Sequence, residues 1–219
     1  MMGVQWRLYK PKRVYSHILC RLSPMLQKNK ITEYAQKFIP LTDEESEEFS
    51  ARFTQIKVKK RQLLIQPGFT ARSRFFVVEG ALRAFVVGDE GQDHTIQLAI
   101  ENWWISDYNS YIFQQPASMF VVAMEDSVLL QITFEDEQSL KAENYKFETF
   151  FRIIAERSGA FMQRRIIARL TQSAEERYNF FLQKYPEMIN RFPQYVIASY
   201  LGMTTEFLSK IRNLKVKKS

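Results

Sequence analysis

Hydrophobic positions change period twice along the 219-residue chain. From Ile31 to Phe53 they recur at helical spacing. Within that stretch Thr42-Asp43-Glu44-Glu45 has the form of a capping box, with Glu45 three residues after the cap. Between Gln55 and Glu135 the period falls to two. Ile56/Val58, Leu63/Ile65, Phe75-Phe76-Val77-Val78, Ala81–Val87, Thr95–Ile100, Phe120–Met124 and Val128–Phe134 are short β-rich runs. Pro67-Gly68, Glu79-Gly80, Asp89-Glu90-Gly91 and Glu125-Asp126 separate them as turns. Seven or eight short strands at this spacing predict an antiparallel barrel or roll. Helical spacing returns from about Glu143 to Leu170, where Phe147, Ile154, Phe161 and Ala168 recur every seven residues. Phe150, Phe151, Ile153, Ala160, Ile166 and Ile167 broaden that stripe. It reads as a parallel homodimer seam through Phe147, Ile154 and Phe161, the alternative being a helix packed within its own subunit. Three shorter helices are expected last: Ala174–Tyr185, Gln194–Leu201 and Thr204–Leu214.

Composition narrows the class. Hydrophobic residues at 46% and charged residues at 25% are ordinary for a globular protein. No window approaches the roughly 18 consecutive apolar residues of a membrane span, so no membrane partner is expected. Cys20 is the single cysteine, and His17 and His94 are the only histidines. A disulfide framework, a multi-cysteine metal site and a histidine cluster are therefore not expected, and the chain reads as cytosolic, without metal or cofactor. The first 24 residues hold five bases and no acid, keep neither period, and are a poor match to a secretory leader. They read as a disordered basic arm or an over-called gene start ahead of Met25. From Pro186 to Ser219 six bases face two acids, so of the net +7 only the two ends are basic. Such an end suits phosphate contact, and suits a solubilising tail equally well.

The informative stretch is Pro193-Gln-Tyr-Val-Ile-Ala-Ser-Tyr-Leu-Gly-Met-Thr-Thr-Glu-Phe-Leu-Ser-Lys-Ile-Arg. Gly202 can close the first helix in a left-handed conformation, and Thr204 or Thr205 can cap the second. Ile197, Ala198 and Leu201 can then meet Phe207, Leu208 and Ile211. This is the pattern of a helix-turn-helix, whose second helix enters the major groove. Thr204, Thr205, Glu206, Ser209, Lys210 and Arg212 are the candidate DNA-contacting residues, types that read base edges and phosphates. The plainer alternative is a helical hairpin with a polar outer face.

From Met25 to Leu214 the chain resembles the Crp/Fnr family of transcription regulators, most closely the branch common in Bacteroidetes. The resemblance implies an α+β fold: an antiparallel cyclic-nucleotide-binding-like β-roll over residues 25–142, a dimerisation helix over 143–170, and an all-α helix-turn-helix domain over 171–219. It implies double-stranded DNA with an inverted-repeat operator as partner, a homodimer, RNA polymerase as a protein partner and a small-molecule effector. Aligned through Gly202, the family's three base-contacting positions fall on Thr205, Glu206 and Lys210. Glu206 matches the family's glutamate, Lys210 replaces an arginine, and Thr205 stands where an arginine reads guanine. A different operator sequence is expected.

The sensor departs from the family further. Its cassette carries Gly-Glu for the ribose and, about ten residues later, Arg-Ser for the cyclic phosphate. Here Ile105-Ser106-Asp107 stands at the first and Ala117-Ser118 at the second, so Trp104, Ser106, Asp107, Ala117 and Ser118 are the candidate effector residues. Arginine binds phosphate through a charged fork, and its loss costs on the order of 2–5 kcal/mol. Cyclic AMP is therefore not the expected effector, and a replacement charge would have to come from Arg72, Arg74 or Arg83. Cys20 alone cannot hold the iron–sulfur cluster of the oxygen-sensing branch, and His94 reads as a surface residue. Trp103, Trp104, Tyr108, Tyr111 and Phe113 read as roll interior, with an apolar ligand pocket as the alternative.

Three function classes follow. The first is a DNA-binding regulator. The second is a cyclic-nucleotide or small-ligand module acting through protein–protein contacts, separable from the first by the salt dependence of DNA binding. The third is an enzyme, which is not expected, since no phosphate loop, nucleophile elbow or metal-ligand pair occurs.

Overall fold

A computed structural model describes residues 24–216. The basic stretch before Pro24, and Lys217 and Lys218 of the tail, lie outside the described residues. Two helices come first, α1 (Pro24–Ala35) and α2 (Asp43–Ala51). Thr42 caps α2 with both halves of the capping box in place. The strands follow: β1 (Thr54–Val58), β2 (Leu63–Ile65), β3 (Ser73–Glu79), β4 (Leu82–Val87), β5 (Asp93–Ala99), β6 (Trp104–Ile105), β7 (Phe120–Ala123) and β8 (Ser127–Thr133). A short α3 (Tyr108–Phe113) lies between β6 and β7. All pairings are antiparallel, in two four-stranded sheets ordered β1-β8-β3-β6 and β2-β7-β4-β5.

The tight connection from β3 to β4 depends on Gly80, at φ +115°, where an added Cβ would sit 2.1 Å from Ser127 Oγ. No other residue fits that approach. The run Phe75–Val78 is buried on both faces. Phe75 and Val77 point between the sheets with Leu82, Ala84, Tyr111, Ala117 and Leu129, while Phe76 and Val78 point out to the helices. A strand covered on both sides can be apolar without alternation, which explains the unbroken run.

The outer face of the first sheet is roofed by α1, α2, α4 (Phe134–Glu143) and the long α5 (Tyr145–Thr171). At 27 residues α5 spans about 40 Å. Phe147 stacks on Phe49 at 5.3 Å, and Phe150 and Phe151 close around Trp104. This corrects the expected dimer seam at two of its three positions, Phe147 and Ile154. Phe147 is 0% exposed and Ile154 8%, both within the protomer's own core, and Phe161 packs edge-on against Trp103 at 5.8 Å. The sheet offers an apolar face wide enough to take the heptad positions of the first half of α5. Apart from Tyr145 at its start, the large apolar side chains α5 exposes lie further along, at Ile166, Ile167 and Leu170.

Beyond α5 come α6 (Ala174–Lys184), a 3-10 turn (Pro186–Asn190), α7 (Gln194–Leu201) and α8 (Thr205–Val216). Their core of Tyr178, Phe181, Met188, Val196, Ile197 and Leu208 merges with Ala81, Leu98 and Ile100 of the roll.

Candidate nucleic-acid interface and ligand cassette

The helix pair α7–α8 is built by its turn. Gly202 takes φ +69°, ψ +45°. Its N–H donates to Ser199 O, and the Met203 N–H donates to Ala198 O. This is a Schellman motif, and it satisfies the carbonyls a helix end leaves open. Thr204 Oγ1 then accepts from the Phe207 N–H at 3.2 Å, so Thr204, not Thr205, caps α8. Leu208 and Ile211 are buried against α7, whereas Phe207, expected in that contact, is 46% exposed.

The six candidate residues divide accordingly. Glu206, Lys210 and Arg212 are exposed, and Thr205 is half-buried. Thr204 is engaged as the cap. Ser209 accepts from Gln194 Nε2 at 2.5 Å and so ties α8 to α7. Asn213, one turn beyond Lys210 on the same face, is exposed and was missed by the sequence reading. Its 3- and 7-residue spacing from Lys210 and Glu206 was the available signal.

Three contacts hold this unit to the roll. Ser199 Oγ accepts from the Thr95 N–H and donates to Asp93 O, both at 2.8 Å, so α7 covers the open edge of β5. Arg165 of α5 donates to Ile96 O and Tyr200 O and lies 4.0 Å over the Tyr200 ring. Burial pushes the Tyr200 phenol up to about 12 despite that cation. Arg191 grips Glu101 with both terminal nitrogens and also reaches Glu125. Burial works against the Glu101 carboxylate, but hydrogen bonds from Arg191 and the Gly80 N–H outweigh it and hold its pKa below the usual range.

The cassette behaves differently. Asp107, fully buried, caps α3, and its Oδ1 accepts from the Ser110 N–H at 3.1 Å. Its Oδ2 accepts from the Ser118 N–H at 2.8 Å, the Ser118 hydroxyl at 3.3 Å and the Met119 N–H at 3.2 Å. Ala117 packs between the sheets and its N–H donates to Phe69 O. The five candidate effector residues therefore do not share one pocket. Asp107, Ala117 and Ser118 close on one another, while Trp104 and Ser106 line a separate small cavity with Arg74, Gln97, Tyr108 and Ser158. Of the five aromatic candidates Tyr111 is buried in the roll, Trp103 and Trp104 are half-buried, and Tyr108 and Phe113 are exposed.

Known proteins bear on this arrangement. Residues 55–144 match the cyclic nucleotide-binding domain family. No curated protein matches the sequence. Among solved structures, the c-di-GMP-responsive global regulator CLP of Xanthomonas campestris is 15% identical, with a TM-score of 0.63 over 78% of this chain and 91% of that one. FixK2 of Bradyrhizobium japonicum is 14% identical, with a TM-score of 0.67 over 76% and 85%. A protein of Eubacterium rectale assigned to the Crp/Fnr family of transcriptional regulators is 18% identical, with a TM-score of 0.62 over 81% and 85%. Residues 55–144 are thus similar to a cyclic nucleotide-binding domain, and the chain shares the fold of Crp/Fnr-type transcription regulators.

Proposed function

We propose that this protein is a homodimeric, sequence-specific DNA-binding transcription regulator of the Crp/Fnr type, and that cyclic AMP is not its effector. One observation carries the reading: α8 stands on a Schellman turn and a threonine cap with Glu206, Lys210 and Asn213 all exposed on one face. A carboxylate accepts from cytosine N4, and an amide can bind adenine through two hydrogen bonds. Lys210 offers a donor to guanine, Arg212 one to phosphate, and the exposed Phe207 ring a surface for a thymine methyl.

Dimerisation falls to the distal half of α5. Ala160, Gln163, Ile167 and Leu170 are exposed there at spacings of three, four and three, a stripe suited to a second copy of the same helix. Cyclic AMP is disfavoured because the cassette donors already serve Asp107. An entering phosphate would displace, or lie against, a buried carboxylate of the same sign.

Selection from random DNA tests the reading, with wild-type protein and Leu170→Glu in parallel. Wild type should enrich an inverted repeat whose half-sites lie roughly 10 base pairs apart, centre to centre. Leu170→Glu should enrich single half-sites or nothing. Wild-type protein that enriches no inverted repeat refutes the proposal.

A further inference from the structure

We infer that the groove between the distal half of α5 and helices α6 and α7 is a binding site for a compact amphipathic anion. Its apolar body enters the groove and its carboxylate or phosphate meets a rim of arginines. The inference goes beyond the regulatory reading above and does not rest on it.

The floor of the groove is apolar. Phe161 and Ala168 of α5, Phe181 of α6, and Tyr200 and Leu201 of α7 line a space of about 70 Å³. Phe181, Tyr200 and Leu201 are buried, while Phe180, also in the lining, is 50% exposed. Arg164, Arg165, Arg169 and Arg177 share that lining, which contains no carboxylate. Two of the four are spoken for: Arg165 donates to Tyr200 O at 3.1 Å, and Arg177 to Leu201 O at 2.9 Å. Arg164 and Arg169 are exposed and make no hydrogen bond or ion pair among the described residues. Burial lowers the pKa of Arg165 and of Arg177, and the Arg169 cation lowers both further. Four like charges around an apolar floor repel one another, and an anion among them would relieve all four.

Helix geometry and charge select the occupant. On α5 the groove takes Phe161, Arg165, Ala168 and Gln172, at spacings of four, three and four. At 3.6 residues per turn these centre roughly 150° around the helix from Ala160, Gln163, Ile167 and Leu170. A second copy seated on that stripe therefore lies on the other side of α5. The chain's own ends carry the wrong sign, with five bases and no acid in the first 24 residues and Lys215, Lys217 and Lys218 at the other end. An external anion fits instead. A water takes roughly 10–15 Å³ of such volume, so the floor admits about five to seven non-hydrogen atoms, the size of one six-membered ring. The head group then stands at the rim, where a guanidinium receives a carboxylate or phosphate through paired, charge-assisted hydrogen bonds. Arg169 also lies against the α7–α8 turn, since a Cβ added to Gly202 would stand 2.9 Å from its Nε. A ligand held by Arg169 would sit one side chain away from the turn that sets α8.

The test is calorimetric titration of the full chain with benzoate, phenyl phosphate, benzamide and acetate. Benzoate or phenyl phosphate should bind saturably, and the tighter of the two names the head group. Benzamide keeps the ring without the charge and acetate the charge without the ring, so each should bind at least tenfold more weakly. Arg164→Gln with Arg169→Gln alters exposed side chains alone and should weaken benzoate about tenfold. Ala168→Phe should fill the floor and abolish binding. No saturable binding of either aromatic anion overturns the inference, as does benzamide binding as tightly as benzoate. Binding undiminished in both variants overturns it too. So does a double-arginine variant that sediments as a monomer where wild type is a dimer, because the groove would then be an interface between copies. If benzoate binds while DNA selection fails, the regulatory reading falls and the site stands; the reverse result removes only the site.

Discussion

The cassette around Asp107 and the outer face of α8 are both clusters of polar side chains in a helix–turn setting, yet they end in opposite states. In the cassette the carboxylate is buried and accepts four hydrogen bonds from Ser110, Ser118 and Met119. On α8 the charged groups of Glu206 and Lys210 stand in solvent, while Thr204 caps the helix and Ser209 ties it to α7. A polar cluster whose donors and acceptors answer one another supports the fold and offers a ligand little. One whose groups face only water can exchange that water for a partner.

The largest effect should come from emptying the cassette. Asp107→Ala removes the buried acceptor of four hydrogen bonds, and each donor left buried and unsatisfied costs about 1–3 kcal/mol. Relaxation will recover some of this, so the urea midpoint should fall by an amount equivalent to about 3 kcal/mol. Added phosphate should restore part of the loss in the variant and leave wild type unchanged. An unaltered midpoint would mean that Asp107 is not holding the cassette.

Lys210→Ala should reverse the pattern, with stability within about 0.5 kcal/mol of wild type. Specific DNA binding should weaken by roughly 1–3 kcal/mol, with relaxed preference at one base pair of each half-site. Gel-shift titrations on matched and mismatched sites measure this. Equal loss on every sequence would reassign Lys210 to phosphate.

The smallest effect concerns a purely structural carboxylate, and it sharpens the comparison as a control. Hydrogen bonds from Lys146, the Thr42 N–H and Asn144 lower the Glu45 pKa to about 2. A depressed acid contributes stability that is whole above its ordinary value and is lost as pH falls through the folded one. The tie between α2 and α5 should therefore loosen between about pH 4.5 and 2. Lys146→Met should flatten that part of the stability–pH curve while leaving DNA affinity at neutral pH unaltered. A curve of unchanged slope rules out the linkage.

Much of this architecture is legible in the residues. Period-two runs with glycine turns give the roll, the Thr42–Glu45 box gives α2, and Gly202 followed by Thr204 gives the α7–α8 turn, because each signal is local. Two short helices escaped. α4 buries only Glu137 and Leu140, so it carries no apolar stripe, although Thr133 caps it through the Asp136 N–H. α3 is six residues inside an aromatic cluster that reads equally well as strand. The long helix was recognised, but its heptad was assigned to the wrong neighbour. Phe147 and Ile154 satisfy a dimer seam and a sheet face equally, since periodicity records that a face is buried and not against what.

By itself, then, the sequence determined where most of the strands and helices lie, and that Glu206 and Lys210 would fall on one face of α8. Those are properties of spacing and residue type. Only the tertiary structure decided that Asp107 turns inward to serve Ser118, that Ser199 seals the edge of β5, and that Arg74 and Trp104 meet at one cavity. Each of these joins groups that the chain brings together only by folding. Whether a polar group is answered or left open depends on every neighbour within about 3 Å of it, a distance that sequence order does not encode.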